Sequence, residues 1–129
     1  MHVVDTCGWI EWLTDGTLAE AYAPYLADSD NLVVPTLVQF ELYKWCLREK
    51  DEAAALDVIG LTEACLVRAL DTHIALSAAD LSTRHKLAMA DAIVYATALA
   101  TSGQLLTSDA HFEGLPEVLL WKKKTNPSQ

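Results

Sequence analysis

Cysteine is scarce in this 129-residue chain, with only Cys7, Cys46 and Cys65, far apart and without a CxxC pair. An odd, scattered set argues against a disulfide frame or a cysteine metal site and fits reduced thiols in a cytoplasm. Long apolar runs are missing too; none approaches the roughly 20 residues that a membrane span needs. No basic stretch precedes MHVVD, so the start reads as a strand and not as a signal peptide. The four histidines, His2, His73, His85 and His111, form no HxH or HxxxH pair, which leaves them as surface residues or supports of a site. Cationic charge is sparse, with nine Lys and Arg against 18 Asp and Glu and a net charge of −9. Such a chain has no global attraction to phosphates. Local basic groups remain at Lys44, Arg48 and Lys50, at Arg84 and Lys86, and at Lys122 to Lys124. The excess of acids also implies a basic partner protein.

What is present is a globular composition, 52% hydrophobic and 21% charged, rather than a disordered one. At this length a single domain buries about two thirds of the surface of its unfolded chain. We expect it to span residues 1–121, with a solvated, polar and basic tail over 122–129. Short β-branched runs alternate with longer helical ones. MHVVD, LVVP, CLVRAL, QLLT and EVLLW read as strands. The first helix is expected to be capped by Thr6, with Trp9, Ile10 and Leu13 on one face. TLAEAYAPYLADSD reads as a second helix, kinked or divided at Pro24. Further helices are expected over Thr36 to Lys50, over DEAAALDVIG closed by Gly60, over Asp71 to His85, and over MADAIVYATALATSG ending at Gly103. Trp9, Trp12 and Trp45 read as core or dimer contacts. This alternation predicts an α/β domain whose central, mostly parallel sheet of about five strands is covered on both faces.

Four carboxylates stand where apolar strands end or apolar helices ought to stay apolar: Asp5, Glu41, Asp91 and Asp109. An ionised carboxylate in such surroundings costs several kcal/mol or more without compensation. No Lys or Arg lies within two residues of any of them. Each also has a local reading: Asp5 as a helix cap, Asp91 as a first-turn acid at a helix dipole, Glu41 in a surface row with Lys44 and Arg48, Asp109 as turn chemistry. One divalent, oxygen-liganded cation explains all four together. Asp5 and Asp109 fall at the carboxyl ends of strands, where α/β sheets bind ligands. Glu41 and Asp91 fall early in helices near that edge.

The chain resembles the PIN-domain ribonucleases, and most closely the small VapC-like toxins of bacterial and archaeal toxin–antitoxin pairs. The likeness rests on VVDTCGWIEWL, VVPTLVQFEL, ADAIVYATAL and LLTSDAHF and covers nearly the whole chain. It implies a three-layer α/β/α fold and an acidic quartet of Asp5, Glu41, Asp91 and Asp109 that binds metal, with Thr6 and Thr107 as supporting hydroxyls. Cys7 stands where the family commonly has serine. The implied activity is endoribonucleolytic, with a divalent ion activating water for in-line attack on a phosphodiester; oxygen ligands favour Mg²⁺ or Mn²⁺. Lys44 or Arg48 would hold a phosphate. The resemblance further implies a cognate antitoxin, seated near residues 9 to 26 and 36 to 48, and a homodimer. Two competing readings are a receiver-like signalling module and a catalytically inactive PIN-like binding protein. The receiver would need an adjacent acidic pair after the first strand, where this chain has Asp5-Thr6.

Overall fold

The computed structural model describes residues 1–123; the remainder of the expected tail, 124–129, lies outside the described residues. Five strands form one sheet: β1 (His2–Val4), β2 (Leu32–Pro35), β3 (Leu66–Arg68), β4 (Gln104–Thr107) and β5 (Val118–Leu120). All four strand pairings are parallel, in the order β3-β2-β1-β4-β5. Six α-helices flank the sheet in an α/β/α arrangement: α1 (Thr6–Leu13), α2 (Ala19–Leu26), α3 (Thr36–Glu49), α4 (Glu52–Glu63), α5 (Thr72–His85) and α6 (Met89–Ala100). The central strands are apolar on both faces. All of β2 is buried, as are Val3, Val4, Leu105 and Leu106, because a parallel sheet covered by helices has no solvent face.

The chain builds outward from β1 through β2 to β3, then returns to add β4 and β5 on the other side of β1. The strand order therefore reverses between β1 and β4. A crevice at such a reversal, beyond the carboxyl ends of the strands, is the standing ligand position of open α/β sheets. α6 packs on β1, β2 and β4 and carries seven consecutive buried residues, Ala92 to Ala98. Its first turn approaches the carboxyl edge because it runs back before β4 begins.

Several local expectations change. Asp5, not Thr6, is the cap of α1, its carboxylate accepting from the Thr6 amide. α2 is shorter than expected and continues through Pro24, since an exposed proline there forfeits a single backbone bond. Gly60 lies inside α4, and a Cβ there would meet open space, so nothing local forces a stop. α6 ends at Ala100, before Gly103. Trp9 is buried in the core, with Trp12 edge-on beside it at 6.2 Å. Gly8 permits a close approach, because a Cβ there would lie 2.6 Å from Val4 and from Tyr22.

Candidate metal centre

Asp5 leaves the end of β1, and its amide still donates to the Leu106 carbonyl of β4 at 3.0 Å. Its side chain is nearly closed off from solvent, 7% exposed. The Thr107 hydroxyl donates to Asp5 Oδ2 at 2.8 Å and accepts from the Asp109 amide at 3.0 Å. One buried hydroxyl at the end of β4 thus orients both the first and the last acid. Thr6 donates its hydroxyl to Glu41 Oε1 at 2.7 Å, tying α3 to the start of α1. The Cys7 thiol lies 3.8 Å from Asp5 Oδ2 and 3.6 Å from Thr107 Oγ1, a soft contact where the stronger donor is Thr107.

Asp91 sits in the first turn of α6, whose cap is Ala88, with no side-chain capping bond. It faces Asp109 and His111, and ligand atoms of these three lie within 4.8 Å of one another. Asp109 caps the short turn Ala110–Phe112 through the His111 amide at 2.9 Å, and His111 Nδ1 lies 2.7 Å from Asp109 Oδ1. His111 is a candidate ligand that the histidine spacing concealed. The available signal was its place two residues after Asp109 in a turn that folds back on the carboxylate.

Burial pushes the Asp5 carboxyl up to about 6, against hydrogen bonds from Thr107 and Thr6, and the charges of Asp91 and Glu41 add to the rise. Asp91 is also raised, by burial first and then by Asp109 and Glu41, with His111 opposing. The four acids therefore share one electrostatic neighbourhood. Lys44 stands 5.9 Å over the Phe40 ring and Arg48 pairs with Glu49 at 3.0 Å; among the described residues, neither forms an ion pair with Glu41 or another of the four.

A PIN domain model matches residues 2–118. The chain belongs to the PIN domain family. No curated protein matches the sequence. Among solved structures, a chain of a toxin–antitoxin complex from Klebsiella pneumoniae superposes with a TM-score of 0.81 at 22% identity, covering 95% of this chain and 100% of that one. VapBC2 from Rickettsia felis, bound to a DNA fragment from its promoter, gives 0.71 at 14% identity over 94% and 97%. VapC20 from Mycobacterium tuberculosis, a sarcin–ricin loop-cleaving toxin, gives 0.65 at 19% identity over 81% and 87%. At these identities the likeness is one of fold.

The donors of this PIN domain suit a divalent cation. Carboxylates with raised proton affinity, clustered without an internal cation among the described residues, gain from an external one. Carboxylate oxygens favour Mg²⁺ or Mn²⁺, and the imidazole of His111 widens the choice on the Mn²⁺ side.

A second buried acid escaped sequence reasoning. Glu11 of α1 is 5% exposed. It accepts from the Leu18 amide at 3.1 Å, from Thr17 at 3.3 Å, and from Lys123 at 2.8 Å. Burial alone would raise its pKa, but the bonds from Lys123, Leu18 and Thr17 hold it below the ordinary value. Lys123 is thus an exposed residue tied to the fold by this bond, and Lys122 pairs with Glu113 at 2.8 Å. Gly16 leaves room for this carboxylate, since a Cβ there would press on the end of the Glu11 side chain.

Proposed function

We propose that this PIN domain is a Mg²⁺- or Mn²⁺-dependent endoribonuclease acting as the toxin of a toxin–antitoxin pair. One observation carries the reading: Asp91, Asp109 and His111 bring ligand atoms within 4.8 Å of one another, and burial together with the charges of neighbouring acids, Glu41 among them, raises Asp5 and Asp91. Asp5, Glu41, Asp91 and Asp109 are the proposed metal-binding acids, joined by His111. A bound divalent cation supplies the charge that activates water and stabilises the leaving oxygen. Thr107 holds Asp5 and Asp109 in place, and Thr6 holds Glu41. Lys44 and Arg48, on the helix that carries Glu41, are proposed phosphate contacts.

RNA cleavage assayed with Mg²⁺, with Mn²⁺ and with EDTA tests the reading. Cutting that needs metal and stops with the chelator is expected. Metal-bound protein that cuts no RNA would make the domain an inactive PIN-like binding protein.

A cognate antitoxin is the proposed partner, offering a basic segment to the acids. α1, α2 and α3 pack around one region, and α3 exposes Phe40 and Leu47, apolar surface that a partner helix would cover. The product of the neighbouring gene should co-purify and suppress cleavage. Two toxin–antitoxin pairs per assembly, in the cytoplasm, is the expected state, checked by sedimentation. No helix among the described residues is long and apolar enough to cross a membrane.

A further inference from the structure

The Glu11–Lys123 pair lies beside the acid centre, not remote from it. A cavity of about 420 Å³ is lined by Cys7, Ile10, Glu11, Ser108, Asp109 and Lys123, so Lys123 shares its walls with one acid of the quartet. The lysine is held there by the fold. The Trp121 amide donates to the Thr107 carbonyl at 2.9 Å, and the Trp121 ring stands edge-on to Tyr22 at 4.9 Å. Two residues further on, Lys123 reaches back over the end of α1.

The two partners differ in exposure. The Glu11 side chain is 7% exposed and that of Lys123 is 61% exposed. Both line the cavity, and the lysine, open to solvent where the carboxylate is closed off, is the more accessible charge of the pair. Glu11 takes one of three ammonium donors. As a stabilising bridge the lysine contributes little, because its side chain is mostly in solvent, and Glu11 already has two other donors. A solvent-open cation, tethered by Glu11 on the wall of a cavity within the size range of ligand sites, offers an anion a contact there, with Asp109 the other acid on that wall.

We infer that this cavity is a subsite for a phosphate of the RNA substrate, with Lys123 as its cation and Glu11 as the residue that positions it. The inference rests on the nuclease reading above and deepens it. Lys123 binds a phosphate flanking the scissile bond, while Asp109, on the same cavity wall, belongs to the cleavage centre. Substrate register is then set on this side by the segment after β5.

The test uses the full-length chain. In an Asp91→Asn background with EDTA, binding of a fluorescent single-stranded RNA of mixed sequence is measured across salt concentrations. Adding Lys123→Gln should lower the magnitude of the slope of log affinity against log salt by about 0.7, the loss of one phosphate contact. Lys123→Arg should keep the original slope. In an otherwise native chain assayed with Mg²⁺, Lys123→Gln should raise KM about tenfold and lower kcat less than about twofold. An unchanged slope, with or without a lower melting temperature, would overturn the subsite and leave Lys123 a structural bridge; so would an Arg variant that behaves like Gln. A native chain that cuts no RNA with Mg²⁺ sinks the nuclease reading by itself, whereas the slope reports on the subsite alone.

Discussion

Asp5 and Glu11 are both buried carboxylates, one just before α1 and one near its end, and the fold treats them in opposite ways. Glu11 receives a lysine, a backbone amide and a hydroxyl, and its pKa falls. Asp5 receives a hydroxyl and an amide, faces other acids, and its pKa rises to about 6. A chain able to supply a cation to one buried acid could have supplied one to the other. Where none of the described residues does so, the charge is left for something outside them. On the proposed reading, that contrast separates a carboxylate kept for architecture from one kept for chemistry, and neither burial nor residue type alone would separate them.

The largest effect should be on cleavage. Asp91→Asn, or Asp5→Asn, should lower RNA cleavage by more than about 100-fold, as removal of a charge from a metal-binding set does. Glu11→Gln should lose far less in kcat, because Glu11 faces Lys123 and not the quartet. If Glu11→Gln were as damaging to kcat as Asp91→Asn, the two carboxylates would not differ in role.

The pH dependence of stability should also have opposite signs. Asp5 is raised from 3.8 to about 6 in the folded protein, so folding binds its proton more tightly. Its contribution is complete below the unfolded value and is lost as pH rises through about 6, roughly 3 kcal/mol at most. Glu11 lies below its ordinary 4.5; its contribution is present above that value and is lost as pH falls through the folded one. Metal-free protein, melted in a chelating buffer, should therefore lose stability between about pH 4 and pH 7, and Asp5→Asn should flatten that fall. A wild-type melting temperature that climbs steadily over this window would contradict the raised Asp5.

Removing the acid of the architectural pair should cost more than removing its base. Glu11→Ala strands the Leu18 amide and leaves space beside Gly16, about 2 kcal/mol in all, or roughly 4 to 9 °C in melting temperature. Lys123→Gln should cost under about 1 kcal/mol, because the ammonium is mostly in solvent. Equal losses would mean that the pair is buried as a unit.

The β/α alternation and the place of Asp5 and Asp91 were legible because each is a local anomaly, a charge inside an apolar run. Thr107 followed from resemblance to the family, whereas the strand-end position of Asp109 followed from reading QLLT as a strand. Glu11 was illegible in IEWLTDG, where it looks like any polar helix position. What buries it comes from Gly16 and Leu18 just beyond the helix and from Lys123 near the other end of the chain. His111 was missed because its neighbours Asp91 and Asp109 lie on different elements, so spacing within the histidines carried no information. Gly60 misled in the opposite direction, since glycine ends helices only where a left-handed turn is needed, and none occurs there.

The smallest effect concerns metal and stability, and it discriminates most sharply between the two kinds of acid. Asp5 and Asp91 are raised first by burial and further by neighbouring acids, Asp91 and Glu41 for the one and Asp109 and Glu41 for the other, so the metal-free fold should carry a strain that a cation relieves. With a dissociation constant of about 1 mM, 10 mM Mg²⁺ adds roughly 1.4 kcal/mol by mass action, or about 3 to 6 °C. Asp91→Asn removes one repelling charge at a position that makes no capping bond. Its metal-free form should therefore melt above the metal-free wild type, while gaining less from Mg²⁺. Glu11→Gln repels nothing in the quartet, so it should melt lower without metal and keep the full Mg²⁺ gain. A metal-free Asp91→Asn protein that melts lower would make Asp91 a partner of the α6 dipole first and a ligand second. Equal Mg²⁺ gains in Asp91→Asn and wild type would put the ion at another site.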